Sequence, residues 1–414
     1  MAVLGVDFGT SNSAAAVARD GKAQMIALEN GADTLPTAVF FDFDRKAMLI
    51  GTAAGAALLA GEEGRYMRAL KSLLGAPLMR ERRTLLGEKL DFIDIVARFL
   101  AQVKAAAEKQ TGETYDRALS GRPVRFHPDD ARNAQAEVDL REAYARAGFA
   151  DVAFMYEPEA AALANRAVLD VGDLGLIVDI GGGTSDFTLF RNGAESIDIL
   201  GSHGVRLGGT DFDRVVSLET VMPLFGRESQ IRHAFGDDTH AAPATIFNDL
   251  ATWQKIPFLY APDSRRLAKD LLQYAVEPDK LERLISVLED ELGHDIAFAV
   301  EAGKIGANTN GAGEIDLGVV ERGLAVPVEA GTVESLLAPM THEMAQAALE
   351  TVLKAGVSPD EVTHLVFVGG SSLMRVTREA LGAAFPQAAV HHGSALTAIV
   401  DGLGLAAEGA FGGR

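Results

Sequence analysis

Residues 176–190 limit the possible folds more than any other stretch, because they hold two apolar segments joined by three consecutive glycines. The first segment is rich in β-branched residues and the second alternates polar with apolar residues, which predicts two strands joined by a tight turn. A strand on both sides excludes a Walker A loop, which needs a Lys-Ser/Thr pair and a following helix. The glycines could still bring backbone N–H groups to a phosphate, with Thr184 adding a hydroxyl and Asp179 and Asp186 holding a cation. Taken alone, the segment is equally consistent with a nucleotide site and with an ordinary glycine-rich hairpin.

A second segment with the same order of residue types lies near the N-terminus, at residues 3–17. A short apolar strand again ends in an aspartate, Asp7, and is followed by glycine, hydroxyl residues and a second apolar run. Asp7 therefore corresponds to Asp179, and Thr10 corresponds to Thr184. Two such hairpins predict an internal duplication, and hence two similar lobes that face a shared nucleotide cleft.

The composition limits the class of protein. A chain of 414 residues exceeds the usual size of one domain, so we expect two lobes or more. A formal net charge of −20 argues against a broad surface for nucleic acid or anionic membranes. Since the chain has no cysteine, disulfides and thiolate sites are excluded. The N-terminus lacks a signal-peptide pattern and the alanine-rich run at residues 52–60 is too short to cross a bilayer, so we expect a soluble, cytoplasmic protein.

Three further features have both a functional and an ordinary interpretation. Lys71 lies in a stretch of mostly helical periodicity, residues 51–109, where a lone lysine is most often a solvated surface group. Glu157 follows an apolar segment and precedes Pro158, a position that suits a catalytic carboxylate but more often holds a helix-start charge. Residues 365–372 form a third glycine turn, after an apolar strand, whose backbone amides could meet a ligand.

The periodicity also predicts elements that frame these features. We expect an edge strand within residues 35–41, a strand at 118–126, a helix at 129–148, and further helices at 264–274 and 279–304. Residues of metal-ligand or aromatic type that we interpret as parts of solvated loops are Asp237, Asp238, His240, Trp253, His391 and His392.

Five segments, taken in order, resemble the ATPase domain of the seventy-kilodalton heat-shock chaperone (DnaK-type) family, within the actin-like and sugar-kinase superfamily. The resemblance extends over essentially the whole chain and is weak between about residues 214 and 290. The third segment distinguishes this family from other actin-like ATPases, and residues 119–124 resemble its short, YegD-like branch. The five segments are residues 7–13, 69–71, 157–163, 179–186 together with 207–209, and 368–371.

The resemblance implies an α/β fold of the actin-like ATPase type, with two duplicated ribonuclease-H-like lobes, a nucleotide cleft between them and an inserted subdomain in each. Lobe I would comprise residues 1–170, with its insertion at about 36–101. Lobe II would comprise residues 171–390, with its insertion at about 214–331. A C-terminal helix within residues 391–414 would pack back on lobe I, and we expect no peptide-binding domain.

The same resemblance implies a role for each site residue, with ATP or ADP as ligand. Lys71 would stabilise charge on the γ-phosphate and Glu157 would orient the attacking water. Asp7 and Asp179 would hold Mg²⁺ through water, and Asp186 would help to bind K⁺. The residues implied to be catalytic are Lys71, Glu157, Asp179 and Thr184. The residues implied to contact the nucleotide are Gly9, Thr10, Ser11, Asn12, Gly181, Gly182, Gly183, Gly208, Gly209, Glu301, Lys304, Asn308, Gly369, Gly370 and Ser371.

One departure from the family pattern bears on nucleotide specificity. Where the family has an arginine that stacks on adenine, this chain has Leu373, with Arg375 two residues later. The sequence predicts a monomeric, chaperone-like switch that binds ATP, hydrolyses it slowly and is read by an unidentified protein partner. The alternatives are a small-molecule kinase of the same superfamily, an actin-like filament protein, and a nucleotide sensor without turnover.

Overall fold

A computed structural model describes residues 2–29, 31–127, 129–166, 169–194, 196–233, 238–391 and 397–411. Contacts between Cα atoms divide the chain into two compact units. Unit 1 comprises Met1–Val205, Gln346–Leu373 and Gly382–Arg414, and unit 2 comprises Arg206–Ala345 and Met374–Leu381. The residues predicted to be catalytic all belong to unit 1.

The chain is α/β, and its strands and helices are numbered here in chain order. The strands are Val3–Phe8 (β1), Asn12–Arg19 (β2), Lys22–Met25 (β3), Thr34–Pro36 (β4), Ala38–Asp42 (β5), Ala47–Ile50 (β6), Gly64–Arg68 (β7), Arg83–Leu85 (β8), Glu88–Leu90 (β9), Arg117–Arg122 (β10), Asp151–Tyr156 (β11), Leu174–Ile180 (β12), Ser185–Asn192 (β13), Ile197–Val205 (β14), Gln230–Arg232 (β15), Thr239–Ala241 (β16), Ala312–Asp316 (β17), Ala325–Glu329 (β18), His364–Val368 (β19) and Ala389–His391 (β20). The helices are Thr52–Leu59 (α1), Phe92–Thr111 (α2), Asp130–Arg146 (α3), Glu157–Ala164 (α4), Gly209–Val216 (α5), Ala244–Leu250 (α6), Pro262–Gln273 (α7), Pro278–Glu289 (α8), Gly293–Asn310 (α9), Ala330–Lys354 (α10), Arg375–Ala384 (α11) and Ala398–Ala406 (α12).

Unit 1 contains two sheets with the same strand order. In the first, the antiparallel strands β3, β2 and β1 are extended by the parallel strands β10 and β11. In the second, the antiparallel strands β14, β13 and β12 are extended by the parallel strands β19 and β20. This repetition confirms the internal duplication predicted from the two glycine hairpins. It also places Asp7 near the end of β1 and Asp179 at the corresponding place in β12.

The helices on these sheets begin and end where local chemistry favours it. Helix α2 starts with a capping box, in which Asp91 accepts from the backbone N–H of Asp94 while Asp94 accepts from that of Asp91. It ends at Thr111 and is capped by Gly112, whose φ of 73° suits glycine. The apolar side of α2 lies in the core of unit 1, and the helix contacts α3 and β2. Among the residues that the structure describes, no helix has the length and the apolar character needed to cross a membrane.

Helix α12 closes one side of the first sheet by packing on α4, β1 and β2. Small residues let the backbones approach closely here. A Cβ at Gly402 would lie 1.8 Å from the carbonyl oxygen of Ala160 in α4, and a Cβ at Gly5 would lie 2.7 Å from the backbone nitrogen of Gly404. The position of α4 is therefore tied directly to that of α12.

Unit 2 is mainly helical and is organised around α9, which contacts α5 and the hairpin of β17 and β18. The contact with the hairpin is close, because a Cβ at Gly303 would lie 2.5 Å from Cγ1 of Ile315. Helices α7 and α8 pack on one another. The same Cβ would lie 3.1 Å from the carbonyl oxygen of Glu314, so glycine at position 303 allows the helix to lie against the backbone of the hairpin.

Three predicted elements differ from the structure. The strand expected at an edge, within residues 35–41, is wrong, because β5 lies between β6 and β7 and is buried along its length. The single helix expected at 279–304 is two helices, α8 and α9, separated where Glu291 adopts a φ of 59°. The stretch 51–109 contains β7, β8 and β9 as well as helix.

The loop interpretation is wrong for several of the metal-ligand and aromatic residues. Trp253 begins the 3₁₀ segment Trp253–Tyr260. The centroid of its ring lies 4.6 Å from that of His294 and 5.0 Å from that of Phe298. His391 ends β20, and its Nε2 lies 2.7 Å from Nδ1 of His364. His240 lies in β16 and is exposed. Asp237 and His392 lie outside the described residues.

Candidate functional site

The first glycine hairpin carries Asp7 to the turn between β1 and β2. Gly9 makes this turn possible, because a Cβ there would lie 2.0 Å from the carbonyl oxygen of Asn12. Thr10 is half-buried, whereas Ser11 and Asn12 are exposed. The amide and hydroxyl groups of this turn are therefore accessible to an anion.

The second glycine hairpin places Asp179 opposite Asp186, its Cα partner in the antiparallel pair of β12 and β13. The N–H of Gly181 closes the turn by donating to the carbonyl oxygen of Thr184 at 2.9 Å. The hydroxyl of Thr184 hydrogen-bonds the carboxylate of Asp186. Because Gly183 and Thr184 are exposed at the tip while Gly182 is half-buried, this turn can also present backbone N–H groups to a phosphate.

Lys71 and Glu157 form an ion pair in which Nζ lies 2.6 Å from Oε1. Lys71 belongs to the 3₁₀ turn Leu70–Leu73, and Glu157 is the first residue of α4, directly after β11. Their side chains are 10% and 9% exposed. The interpretation of Lys71 as a solvated surface group is therefore wrong, since the lysine is buried against a carboxylate.

Asp7, Asp179 and Asp186 all interact electrostatically with this ion pair. Desolvation raises the pKa of Asp7 to about 7, with Lys71 opposing and Glu157 reinforcing the shift. Desolvation and the charge of Glu157 raise the pKa of Asp179 well above its ordinary value, and they raise that of Asp186 to about 6. Desolvation lowers the pKa of Lys71, but the attraction of Glu157, Asp7 and Asp179 outweighs it and raises the pKa overall. One ammonium group therefore faces four carboxyl groups.

This excess of carboxyl groups suits a hard divalent cation. Carboxylate oxygens are the ligands that Mg²⁺ prefers, and Mg²⁺ usually keeps several of its waters. Among the described ranges, no three His, Cys, Asp or Glu side chains are grouped so that they could hold one metal ion directly. The residues present therefore fit a hydrated Mg²⁺ beside Asp7 and Asp179 better than a cage of protein ligands.

Sequence reasoning missed one residue that shapes this site. Gly204 pairs with Asp186 across β13 and β14, and a Cβ there would lie 2.3 Å from the Asp186 Oδ1. Any larger residue would displace the carboxylate. The signal that could have found Gly204 is a glycine in a strand interior, which marks close approach of another group.

The third glycine turn meets the second sheet beside Asp179. Gly369 has a φ of 83° and begins the turn that continues as the 3₁₀ segment Gly370–Leu373. The hydroxyl of Ser372 donates to the carbonyl oxygen of Gly369 at 2.7 Å. Gly370 is exposed and Ser371 is half-buried, so both can reach a ligand.

We expect Gly369→Ala to lower the free energy of unfolding by about 1–3 kcal/mol. Alanine is strained at this φ, and its Cβ would lie 2.4 Å from the carbonyl oxygen of Ile180 and 2.9 Å from the Asp179 Oδ1. Chemical denaturation measures the change. The control is Gly55→Ala in α1, where a Cβ meets nothing within 4 Å. Equal stability of the two variants would contradict the prediction.

The remaining predicted nucleotide contacts lie in unit 2. Gly208 precedes α5, which starts at Gly209, and its N–H donates to the Asp211 Oδ2 at 3.0 Å. Glu301, Lys304 and Asn308 follow one another along α9.

Two of these side chains already have partners within unit 2. The Lys304 Nζ lies 2.6 Å from the Asp213 Oδ1, and the lysine side chain is 6% exposed. The Asn308 Oδ1 accepts from the backbone N–H of Arg375 at 2.7 Å. Asp213 was not predicted, although its place after the Gly208-Gly209 pair is the signal that could have found it.

Comparison with known proteins gives two findings. A family model for the Hsp70 protein matches residues 3–239, more than half of the chain. The chain is also 27% identical over 385 residues to the chaperone protein DnaK of Endomicrobium trichonymphae. That alignment covers 91% of this chain and 52% of the relative, so the chain spans about half the length of the curated relative that it matches.

Proposed function

Because the chain belongs to the Hsp70 family, whose ATPase domain has the actin-like fold, we propose that it binds ATP and hydrolyses it slowly as a nucleotide-dependent switch. The observation that carries this proposal is the buried Lys71–Glu157 ion pair, 2.6 Å long, beside the carboxyl groups of both glycine hairpins. Within the family, residues 119–124 favour the YegD-like branch. The partner that reads the switch is a protein yet to be identified.

Lys71 and Glu157 divide the chemistry between them. The Lys71 ammonium is kept protonated by its carboxylate neighbours, so it can stabilise the negative charge that develops on the transferred phosphoryl group. Glu157 accepts a hydrogen bond from the attacking water and orients it. The short distance between the two side chains means that loss of one also displaces the other.

The hairpins hold the nucleotide and its cation. The turn at Thr10 and Ser11 and the turn at Gly183 and Thr184 present amide and hydroxyl groups to the phosphates. Asp7 and Asp179 would hold Mg²⁺ through its waters, and Asp186 would help to hold K⁺. When bound, Mg²⁺ neutralises charge on the phosphate oxygens.

Calorimetric titration with ATP and phosphate release in a single turnover, without any sugar, test the proposal. We expect saturable binding that requires Mg²⁺, followed by slow release of phosphate. A parallel titration with GTP tests base selectivity, because Leu373 is 43% exposed where the family stacks an arginine on adenine. Absence of adenine-nucleotide binding would overturn the proposal, and release that depends on an added sugar would support a kinase instead.

A further inference from the structure

The turn that carries Lys71 has an uncommon backbone. Ala69, directly before the turn, has a φ of 57°, and Gly75, shortly after it, has a φ of 77°. Alanine rarely adopts the left-handed region, so the surrounding contacts must hold it there. Leu70 and Leu74 are buried on either side of the lysine. The position of the Lys71 ammonium therefore depends on how this segment docks on its neighbours.

Helix α3 receives the end of this segment. The N–H of Gly75 donates to the Asp139 Oδ2 at 3.0 Å. Gly75 also packs on the helix backbone, because a Cβ there would lie 2.1 Å from the carbonyl oxygen of Arg132. Just before α3, the His127 Nε2 lies 2.6 Å from the carbonyl oxygen of Leu74. Only glycine can approach the helix backbone this closely, so no other residue type would allow this contact at position 75.

Asp139 is itself held on both oxygens. Its side chain is 1% exposed, and its Oδ1 accepts from Arg80 and from Gln135, each at 2.8 Å. Arg80 belongs to the 3₁₀ turn Pro77–Arg80, which follows the Lys71 turn. One buried carboxylate therefore binds both Gly75 and the next turn of the same segment, and a fully satisfied polar group of this kind rigidifies its surroundings.

We propose that Asp139 is a positioning residue for hydrolysis, which fixes the Lys71 ammonium against Glu157 by anchoring the Gly75 amide to α3. The proposal rests on the proposed function. Asp139 does not act on the substrate itself, because it acts through the backbone of residues 71–75, which links Gly75 to Lys71. Misplacement of a catalytic group by about 1 Å can cost about 10²-fold in rate. An anchor that fixes the Lys71 turn can therefore affect the rate without touching the reacting atoms.

Two substitutions of Asp139 separate its hydrogen bond from its charge. We expect Asp139→Ala to slow single-turnover phosphate release by about 10- to 100-fold, with the Kd for ATP changed far less. Asp139→Asn keeps one oxygen that can accept from the Gly75 N–H, while its NH₂ group replaces the oxygen that accepts from Arg80 and Gln135, so it should restore part of the rate. The control is Glu142→Ala, which also loses a bond to Arg80, at 2.9 Å, but does not contact the turn that carries Lys71, and it should behave like the unchanged protein.

Two further measurements separate positioning from general destabilisation. In the Lys71→Ala background, Asp139→Ala should lower the rate little further, because the two residues act through one group. Without nucleotide, amide hydrogen exchange of Asp139→Ala should increase at residues 70–76 and stay unchanged in β1. The proposal would be overturned if the rate losses of Lys71→Ala and Asp139→Ala were fully additive in the double variant. Unchanged hydrogen exchange at residues 70–76 in Asp139→Ala would overturn it as well. If the unchanged protein releases no phosphate, the proposed function fails while the exchange experiment still decides whether Asp139 anchors the turn.

Discussion

Lys71→Ala is expected to slow ATP hydrolysis in a single turnover by about 10²–10⁴-fold. The positive charge of the Lys71 ammonium offsets the negative charge of the carboxyl groups of Glu157, Asp7 and Asp179. Its loss removes the charge that stabilises the transferred phosphoryl group. It also removes the ammonium that donates to the Glu157 Oε1 at 2.6 Å, so the carboxylate is no longer held where it orients water. Phosphate release measured with protein in excess over ATP gives the rate, and calorimetry gives the affinity.

The control for this experiment is another lysine in an equally short ion pair. Lys255 lies 2.6 Å from Asp249, but its side chain is 57% exposed, so Lys255→Ala should leave the rate unchanged. Because Lys71→Ala leaves a buried charge unpaired and can lower stability, the double variant Lys71→Ala/Glu157→Gln removes both charges. It should be about as slow as the single variant, since the pair acts as a unit. A rate close to that of the unchanged protein in either variant would contradict the prediction.

The two hairpins could be predicted from sequence because their signal is local. Asp7 and Gly9, like Asp179 and Gly181, lie within a few residues of one another, and the alternation on each side indicates the strand pair. The glycine at position 9 is required by one contact with Asn12, three residues away. The duplication follows from comparing the hairpins, and the matching strand order of the two sheets has the same origin.

The Lys71–Glu157 pair could not be predicted from spacing. The two residues are 86 positions apart, and the pair exists only because the turn at Lys71 docks where α4 begins. The left-handed backbone of Ala69 has no sequence signature, and the mostly helical periodicity around it is misleading. Only the resemblance to a family pointed to this lysine as functional.

Strands β5 and β7 show how tertiary contacts override local preference. Strand β7 begins with Gly64, a residue type that is depleted in strands, yet it pairs along its whole length with β5. Pro36 before β5 suggested an edge, but the proline ends β4 and leaves β5 free to pair on both sides. The strand conformation of β7 and the central position of β5 therefore depend on pairing between strands that are separated in sequence.

Gly402→Ala is expected to lower the free energy of unfolding by about 3 kcal/mol or more. Alanine favours a helix over glycine by about 1 kcal/mol, so helix propensity alone predicts the opposite sign. The added Cβ, however, would lie 1.8 Å from the carbonyl oxygen of Ala160 and 2.4 Å from its carbonyl carbon. Backbone atoms cannot rotate away, so α12 and α4 must separate. Chemical denaturation measures the loss of stability.

The same substitution should also slow hydrolysis, because Ala160 lies one helical turn after Glu157 in α4. A displaced α4 moves the Glu157 carboxylate relative to Lys71, and a bond of 2.6 Å leaves little tolerance for that shift. The matched control is Gly382→Ala in α11, a helical glycine where a Cβ meets nothing within 4 Å, and here we expect a small gain in stability. If Gly402→Ala were as stable as Gly382→Ala, the close contact between α12 and α4 would not hold the helix that carries Glu157.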